Sequence, residues 1–352
     1  MKRVVFFLHR VYPNFNKKRD DISLSGFIKA LKLISLRFKI VSLHELLDKD
    51  VKSNKPLAAI TFDDGYKDNF VYAYPILKKM GIPAHLFITA NRISDSEKVE
   101  KNLFDYWNRK VSFEELYKPT SMYYGHEEFI KKGYSEEFLT WKELELMKDV
   151  FSYGAHSANH FSFPYKGEII DFFDGSNFDW SMLLYSKEPF NGLPKFPTRS
   201  ELDIRKFYPS KELLEFCYDF PKKGNWKKSL RLEIEKNFKT FGSYETKEEA
   251  KKRIKTELID SKKKIEKKLG ITVDNFSWPF GHYSEFSKDI ASQVYTYVFT
   301  IKKGFVEEDS DLAELPRVSL GKDIFTVLGR ILTFSTDLGY AIYKKVRKEK
   351  VL

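Results

Sequence analysis

The segment Leu57–Tyr66 reads LAAITFDDGY, a largely apolar run that stops at two adjacent carboxylates. The run Leu57–Phe62 predicts a buried strand, so Asp63 and Asp64 are expected at its carboxyl end. A helical pattern and a further apolar run follow within residues 75–89. This strand–helix–strand order predicts a parallel sheet covered by helices.

Two other apolar runs each stop at a histidine. Val4–Leu8 is followed by His9, and Phe151–Ala155 is followed by His156. Parallel α/β sheets and barrels carry their active sites at the carboxyl ends of the strands. We therefore expect both histidines and the two aspartates at one rim of the sheet.

Helical spacing, capping boxes and apolar runs predict the other regular elements. We expect helices at residues 25–38, from Ser42, at 140–148 and at 246–270, and strands at 273–278 and 295–301.

Two long excursions interrupt this rhythm. Residues 91–139 are polar, aromatic and loop-like, and residues 161–245 indicate an inserted subdomain or a set of packed loops. The C-terminal segment Ile324–Arg347 is amphipathic. It predicts a helix packed on the protein, with a membrane-surface helix as the alternative.

Composition sets broad limits on location and partners. The net charge of +11 comes from 61 basic and 50 acidic residues, which indicates a charged surface and no nucleic-acid-binding tail. The single cysteine, Cys217, lies in an apolar run and fits a reducing compartment as a small core residue. No apolar run approaches the roughly 20 residues of a membrane span, and the N-terminal run is too short for a signal peptide. We expect a soluble, cytoplasmic protein, with contact at the inner membrane surface as an alternative.

The polar residues at the predicted rim form a set suited to a metal ion. His156 and His160 are four residues apart, which would place both on one face of a helical turn. One carboxylate and two imidazoles around a divalent ion leave an open position, and the second carboxylate is then a candidate base. Zinc is the default ion, and the donors also suit iron, cobalt or nickel. Taken singly, the Asp63–Asp64 pair could be a turn and the histidines could be structural.

The same residues carry a resemblance to a known family. Thr61–Tyr66 (TFDDGY) and Gly154–His160 (GAHSANH) resemble the first two motifs of the polysaccharide deacetylases, carbohydrate esterase family 4. Trp278–Gly281 (WPFG) resembles the third motif in the form found in deacetylases of poly-N-acetylglucosamine, and Gly81–Ala84 (GIPA) is also typical. The resemblance covers most of residues 1–90, 140–165 and 245–320.

The resemblance implies an α/β fold of the irregular (β/α) barrel type over residues 1–320. The excursions 91–139 and 161–245 would be insertions, and residues 321–352 would form a C-terminal helical segment. It also implies metal-dependent removal of an acetyl group from a sugar. The implied roles are a general base at Asp63, metal ligands at Asp64, His156 and His160, an oxyanion contact from the backbone N–H of Phe280, and oxyanion or substrate contacts at Tyr66 and Trp278.

The sequence departs from the family pattern in two places. No arginine precedes Pro279, and no histidine follows His282, although the family usually takes its acid from a late Leu-x-His motif. Arg317 lies in that neighbourhood and is predicted to orient Asp63 or to bind the intermediate. His9 is favoured over His282 as a further site residue. His44, His85 and His126 lack such placement and are not predicted to be ligands.

These observations lead to a functional hypothesis. We expect a deacetylase of an acetylated amino sugar or oligosaccharide, acting on a lipid-linked or nucleotide-linked intermediate during assembly of a surface glycan. Two alternatives stay open. One is a glycan-binding protein of the same fold that has lost catalysis, and the other is a deformylase of a lipid-linked amino sugar.

Overall fold

The computed structural model describes residues 1–14 and 22–349. The strands are β1 (Arg3–Leu8), β2 (Val11–Tyr12), β3 (Ile22–Ser23), β4 (Lys39–Ile40), β5 (Leu57–Asp64), β6 (Ala84–Ile88), β7 (Phe151–Ala155), β8 (Ser162–Pro164), β9 (Asp171–Phe172), β10 (Pro194–Lys195), β11 (Thr198–Ser200), β12 (Phe207–Pro209), β13 (Gly242–Tyr244), β14 (Asn275–Ser277), β15 (Tyr297–Phe299) and β16 (Val318–Ser319). The α-helices are α1 (Leu24–Arg37), α2 (Leu43–Leu47), α3 (Tyr74–Met80), α4 (Leu103–Trp107), α5 (Met122–Lys132), α6 (Trp141–Leu146), α7 (Lys211–Asp219), α8 (Trp226–Asn237), α9 (Lys247–Leu269), α10 (Glu285–Ser292), α11 (Ile324–Ser335) and α12 (Asp337–Glu349).

Eight parallel strands form the central sheet. Their order is β15-β14-β7-β6-β5-β1-β16, and β4 pairs with the start of β5. The two ends of the sheet approach each other, because Phe299 pairs with Leu315 just before β16. The backbone N–H of Thr300 donates to the Leu315 carbonyl at 2.8 Å. The sheet therefore curls into an irregular barrel, which confirms the predicted fold class.

Helix ends form where the sequence supplies caps. The predicted capping boxes at Ser42, Thr140 and Thr246 are confirmed. Each of these side chains accepts a hydrogen bond from the N–H of the third helical residue, a Glu, and the side chain of that Glu accepts one from the N–H of the capping residue. The 23-residue helix α9 ends at Gly270, whose φ of 63° is left-handed. The helix that starts after Thr140 ends at Leu146, two residues earlier than predicted.

The first excursion contains more regular structure than its composition indicates. The expectation of loops over residues 91–139 is wrong for α4 and α5, which begin where Asn102 and Ser121 cap a helix N-terminus. The second excursion has its own core, with Cys217 fully buried in it as predicted. Around that core lie α7, α8 and antiparallel pairs such as β9–β10.

The C-terminal segment forms two helices, not one. The backbone of Thr336 is extended (φ −128°, ψ 153°) and separates α11 from α12. The apolar face of α11 packs on the barrel through Val327, Ile331 and Phe334. Residues 350–352 of the predicted segment lie outside the described residues. Within residues 1–14 and 22–349, no helix combines the length and apolarity needed to cross a bilayer.

Candidate active site

Three side chains converge at the carboxyl ends of β5 and β7. The Oδ1 atom of Asp64 lies 3.5 Å from Nε2 of His156 and 3.3 Å from Nε2 of His160. All three residues are buried, and one donor atom from each lies within 4.8 Å of the other two. The strand-end placement explains the convergence: Asp64 and Ala155 both pair with Ile88 of β6, from opposite sides.

The backbone around these residues is strained. Asp64, Ser157 and His160 have φ values of 75°, 104° and 61°, in the region that L-residues rarely adopt. Residues 156–160 therefore form an irregular turn, and the expected helical turn is wrong. The turn is held by the N–H of His156, which donates to the Ile88 carbonyl at 2.8 Å, and by the N–H of His160, which donates to Ser157 Oγ at 2.9 Å. Such strain persists only where surrounding contacts fix the backbone.

The donor atoms fit a divalent cation. Nδ1 of His156 lies 2.8 Å from the Ser277 carbonyl, which orients the ring and leaves its Nε2 lone pair free to bind a metal. Burial lowers the pKa of both His156 and His160, so both imidazoles are neutral at pH 7. Oδ1 of Asp64 is buried and accepts no hydrogen bond within the described part of the chain. A buried carboxylate oxygen that receives no hydrogen bond, beside two neutral imidazoles, is chemically suited to bind a cation.

The second carboxylate is paired with an arginine from the other end of the chain. Nη1 and Nη2 of Arg317 donate to Oδ1 and Oδ2 of Asp63 at 2.7 and 2.9 Å, and Nη2 also donates to Ser277 Oγ at 2.5 Å. The guanidinium lies between the rings of Phe7 and Phe87. Burial alone would raise the pKa of Asp63, but the charges of Arg317 and His156 outweigh it and lower the pKa to about 2. Asp63 is thus an ionised carboxylate held in one orientation.

Two histidines flank this centre. His9 follows β1 and is half-buried. A positive charge on His9 would lower the pKa of Asp63, so the two side chains lie close enough to interact. His282 lies beyond Phe280, with the ring centroids 5.9 Å apart, and its Nδ1 accepts a weak bond from the Ser200 N–H at 3.4 Å. Phe280 has a left-handed φ of 58°, and its ring centroid lies 4.4 Å from that of His160.

Two residues predicted to contact substrate lie in the interior. Tyr66 is 0% exposed, because its ring stacks on Phe138 of the first excursion at 5.1 Å and is covered by Arg10 at 4.3 Å. Trp278 is 1% exposed and stacks on Tyr283 at 5.5 Å. Both rings are packed in the interior, and the substrate contact at Tyr66 and Trp278 stays a prediction.

Several residues around the centre were not singled out from the sequence. Nη2 of Arg92 donates to the His160 carbonyl at 3.0 Å. Glu257 on α9 accepts from both the N–H and the Nδ2 of Asn159, at 2.8 and 3.0 Å, and so fixes the turn between the two histidines. Asn159 lies inside the quoted GAHSANH motif and could have indicated a partner. Nothing in the local sequence marks Arg92 or Glu257.

Comparison with known proteins agrees with this geometry. Residues 50–168 match the family model described as polysaccharide deacetylase. The match is confined to this part of the chain. It includes Asp63, Asp64, His156 and His160, so the matched segment contains the whole candidate metal centre.

Proteins similar in sequence to this chain include YxkH of Bacillus subtilis (strain 168), 46% identical over 48 residues. That alignment spans 14% of this chain and about a sixth (17%) of YxkH. A de-N-acetylase from Aggregatibacter actinomycetemcomitans is similar in structure, with a TM-score of 0.56, 17% identity, and coverage of 94% of this chain and 100% of that one. The BpsB deacetylase domain from Bordetella bronchiseptica gives a TM-score of 0.54 at 16% identity, covering 90% and 95%. At these identities the structural likeness concerns the fold.

Proposed function

We propose that the protein is a metal-dependent deacetylase that removes an N-acetyl or O-acetyl group from an amino sugar during assembly of a surface glycan. The observation that carries the proposal is the ionised, oriented Asp63 directly beside the buried Asp64–His156–His160 set. A protein that only binds glycans does not need a free carboxylate held in the interior by an arginine.

The three ligands would be Asp64, His156 and His160. A divalent cation held there would polarise the acyl carbonyl and lower the pKa of water. Zinc is the default for one carboxylate and two imidazoles, and cobalt, nickel and iron suit the same donors.

The remaining steps fall to side chains of this chain. Asp63 would accept the proton of the attacking water, and its low pKa keeps it ionised at neutral pH. Arg317 would hold both oxygens of Asp63 in place. The backbone N–H of Phe280 would donate to the oxygen on which charge develops. His9 would give a proton to the departing sugar nitrogen, or to the sugar oxygen of an O-acetyl group, as its bond to the acyl carbon breaks.

The test is acetate release measured across acetylated amino sugars that are free, nucleotide-linked, lipid-linked or polymeric. Asp63→Asn should abolish release and keep the metal content, whereas Asp64→Asn should lose both. His282→Gln is the matched control for His9→Gln, and only His9→Gln should slow acetate release strongly. If only exported polymer is deacetylated, the biosynthetic substrate is wrong.

Two alternatives give different outcomes in that assay. Glycan binding without acetate release from any acyl sugar would favour a binding protein that has lost catalysis; the missing late histidine motivates this alternative. Release of formate in place of acetate would favour a deformylase, because the same metal chemistry acts on either acyl group.

We also propose that the outer face of α12 contacts anionic lipid. Leu338, Ile342 and Val346 recur at four-residue spacing, are 72%, 54% and 47% exposed, and adjoin the exposed Lys344 and Lys345. Apolar residues beside lysines fit an anionic bilayer surface. The protein should sediment with vesicles containing phosphatidylglycerol and not with phosphatidylcholine alone, and Leu338→Ser/Ile342→Ser should abolish this. Equal sedimentation of the variant, or a dimer that loses its association in the variant, would contradict lipid contact.

A further inference from the structure

A stack of three buried rings leads outward from the candidate metal centre. The ring of His126 lies 5.6 Å from that of His160 at an interplanar angle of 29°, and 5.2 Å from that of Trp180 at 15°. We call His160, His126 and Trp180 the aromatic stack. His126 belongs to α5 in the first excursion, and Trp180 begins a short 3-10 helix in the second. One ring from each excursion therefore lies behind a candidate metal ligand.

The two histidine ligands are oriented by different means. Nδ1 of His156 is fixed by the Ser277 carbonyl, the usual arrangement for a metal-bound imidazole. Nδ1 of His160 is buried and has no hydrogen-bond partner among the described residues. The orientation of the His160 ring then comes from packing against neighbouring rings, which include His126 and Phe280.

The stack is itself closely held. His126 and Trp180 are 5% exposed, and the ring of Phe280 lies 6.5 Å from Trp180 at 18°, so the rings enclose His160. Stacking of aromatic rings is favourable and fixes their relative orientation.

We propose that His126 and Trp180 are positioning residues for His160, so that the metal centre depends on both excursions. This inference rests on the proposed metal-dependent function. It differs from simple core packing, which would lower the stability of the fold and leave the metal affinity of the folded protein unchanged.

The test measures zinc affinity by chelator competition, and the visible spectrum of the cobalt-loaded protein, for variants that remain folded by circular dichroism. His126→Leu and Trp180→Leu should each lower zinc affinity by about tenfold, the lower range for loss of groups that orient a metal ligand, and alter the cobalt spectrum. His126→Phe keeps a stacking ring and should restore most of the affinity. Trp226→Leu is the matched control, because Trp226 packs on Phe172 in the same excursion, away from the stack.

The outcomes separate the two ideas. A wild type that binds none of zinc, cobalt, nickel and iron overturns the proposed function and this inference with it. If wild type binds zinc and the zinc affinities of His126→Leu and Trp180→Leu lie within twofold of the wild-type value, only this inference is overturned. Should Trp180→Leu not fold, Trp180→Phe and the His126 pair decide the question by the same measurement.

Discussion

Replacing Arg317 with methionine is expected to destabilise the metal-free protein by about 3–5 kcal/mol, the usual cost of removing one partner from a buried ion pair. The side chains of Arg317 and Asp63 are 1% and 3% exposed, and two hydrogen bonds of 2.7 and 2.9 Å join them. Methionine fills much of the same volume between the Phe7 and Phe87 rings, so the main loss is the charge that compensates Asp63.

The pKa of Asp63 gives a second, independent magnitude. A fall from 3.8 to about 2 corresponds to roughly 2–3 kcal/mol in favour of the ionised form. Because this pKa is lowered on folding, the stabilisation is present above about pH 4 and is lost as the pH falls through about 2. This energy measures only the preference for ionised over protonated Asp63, so it is smaller than the cost of removing Arg317.

The assay is a double-mutant cycle in urea at pH 7, with chelator present throughout. Wild type, Arg317→Met, Asp63→Asn and the double variant are unfolded while tryptophan fluorescence is followed, and free energies come from linear extrapolation. The double variant leaves no unpaired charge, so its loss should be at least about 2 kcal/mol smaller than the sum of the single losses. Arg199→Met removes a partly exposed pair with Asp203 and, as the control, should cost under about 1 kcal/mol.

Two results would refute this reasoning. One is an Arg317→Met protein within about 1 kcal/mol of wild type at unchanged m-value. The other is a double variant whose loss equals the sum of the two single losses.

Burial, with the charge of Glu201, raises the pKa of Glu257 to about 7, so the contribution of Glu257 to stability falls as the pH rises from about 4.5 to 7. In urea unfolding, the stability of Glu257→Gln relative to wild type should therefore increase by about 2 kcal/mol between pH 5 and pH 8. A difference that stays constant with pH would contradict this. Gly154→Ala should lower the free energy of unfolding by about 2–3 kcal/mol, because a Cβ there would lie 1.9 Å from Asn275 Oδ1. Gly329→Ala on α11 is the control: its Cβ meets nothing within 4 Å, and the substitution should stabilise the protein by about 0.5–1 kcal/mol in thermal unfolding. Burial raises the pKa of Cys217 to about 12, so its thiol should react with a disulfide reagent only in denaturant; rapid labelling of the native protein would be inconsistent with its buried position.

The elements that could be predicted from sequence are those with local signals. The capping boxes at Ser42, Thr140 and Thr246 fix helix starts through bonds made within four residues. The apolar runs indicate strand positions because a parallel strand buried on both faces needs no alternation. Since parallel strands end at a common rim, the ends of these runs are enough to predict that Asp64 and His156 lie close together.

The parts that sequence could not supply depend on contacts from distant segments. The turn at residues 156–160 is irregular, and its first N–H donates to the Ile88 carbonyl of β6, a contact that no helical periodicity encodes. Tyr66 is buried because Phe138, from the first excursion, covers it. His126 and Trp180 lie in segments without a motif, so their place behind His160 follows only from the fold of both excursions.

Closure of the barrel has a consequence for how the protein folds during synthesis. Asp63 and Arg317 are separated by 254 positions, and Arg317 is carried in by the last strand of the barrel. A growing chain can present the Asp64–His156–His160 set long before that arginine leaves the ribosome. Long-range contacts of this kind form late and slow the folding of the whole domain. The metal ligands and the later residues that orient them, such as Glu257 and Ser277, are thus all made before the barrel closes, whereas Asp63 gains its counter-ion only when the final strand docks.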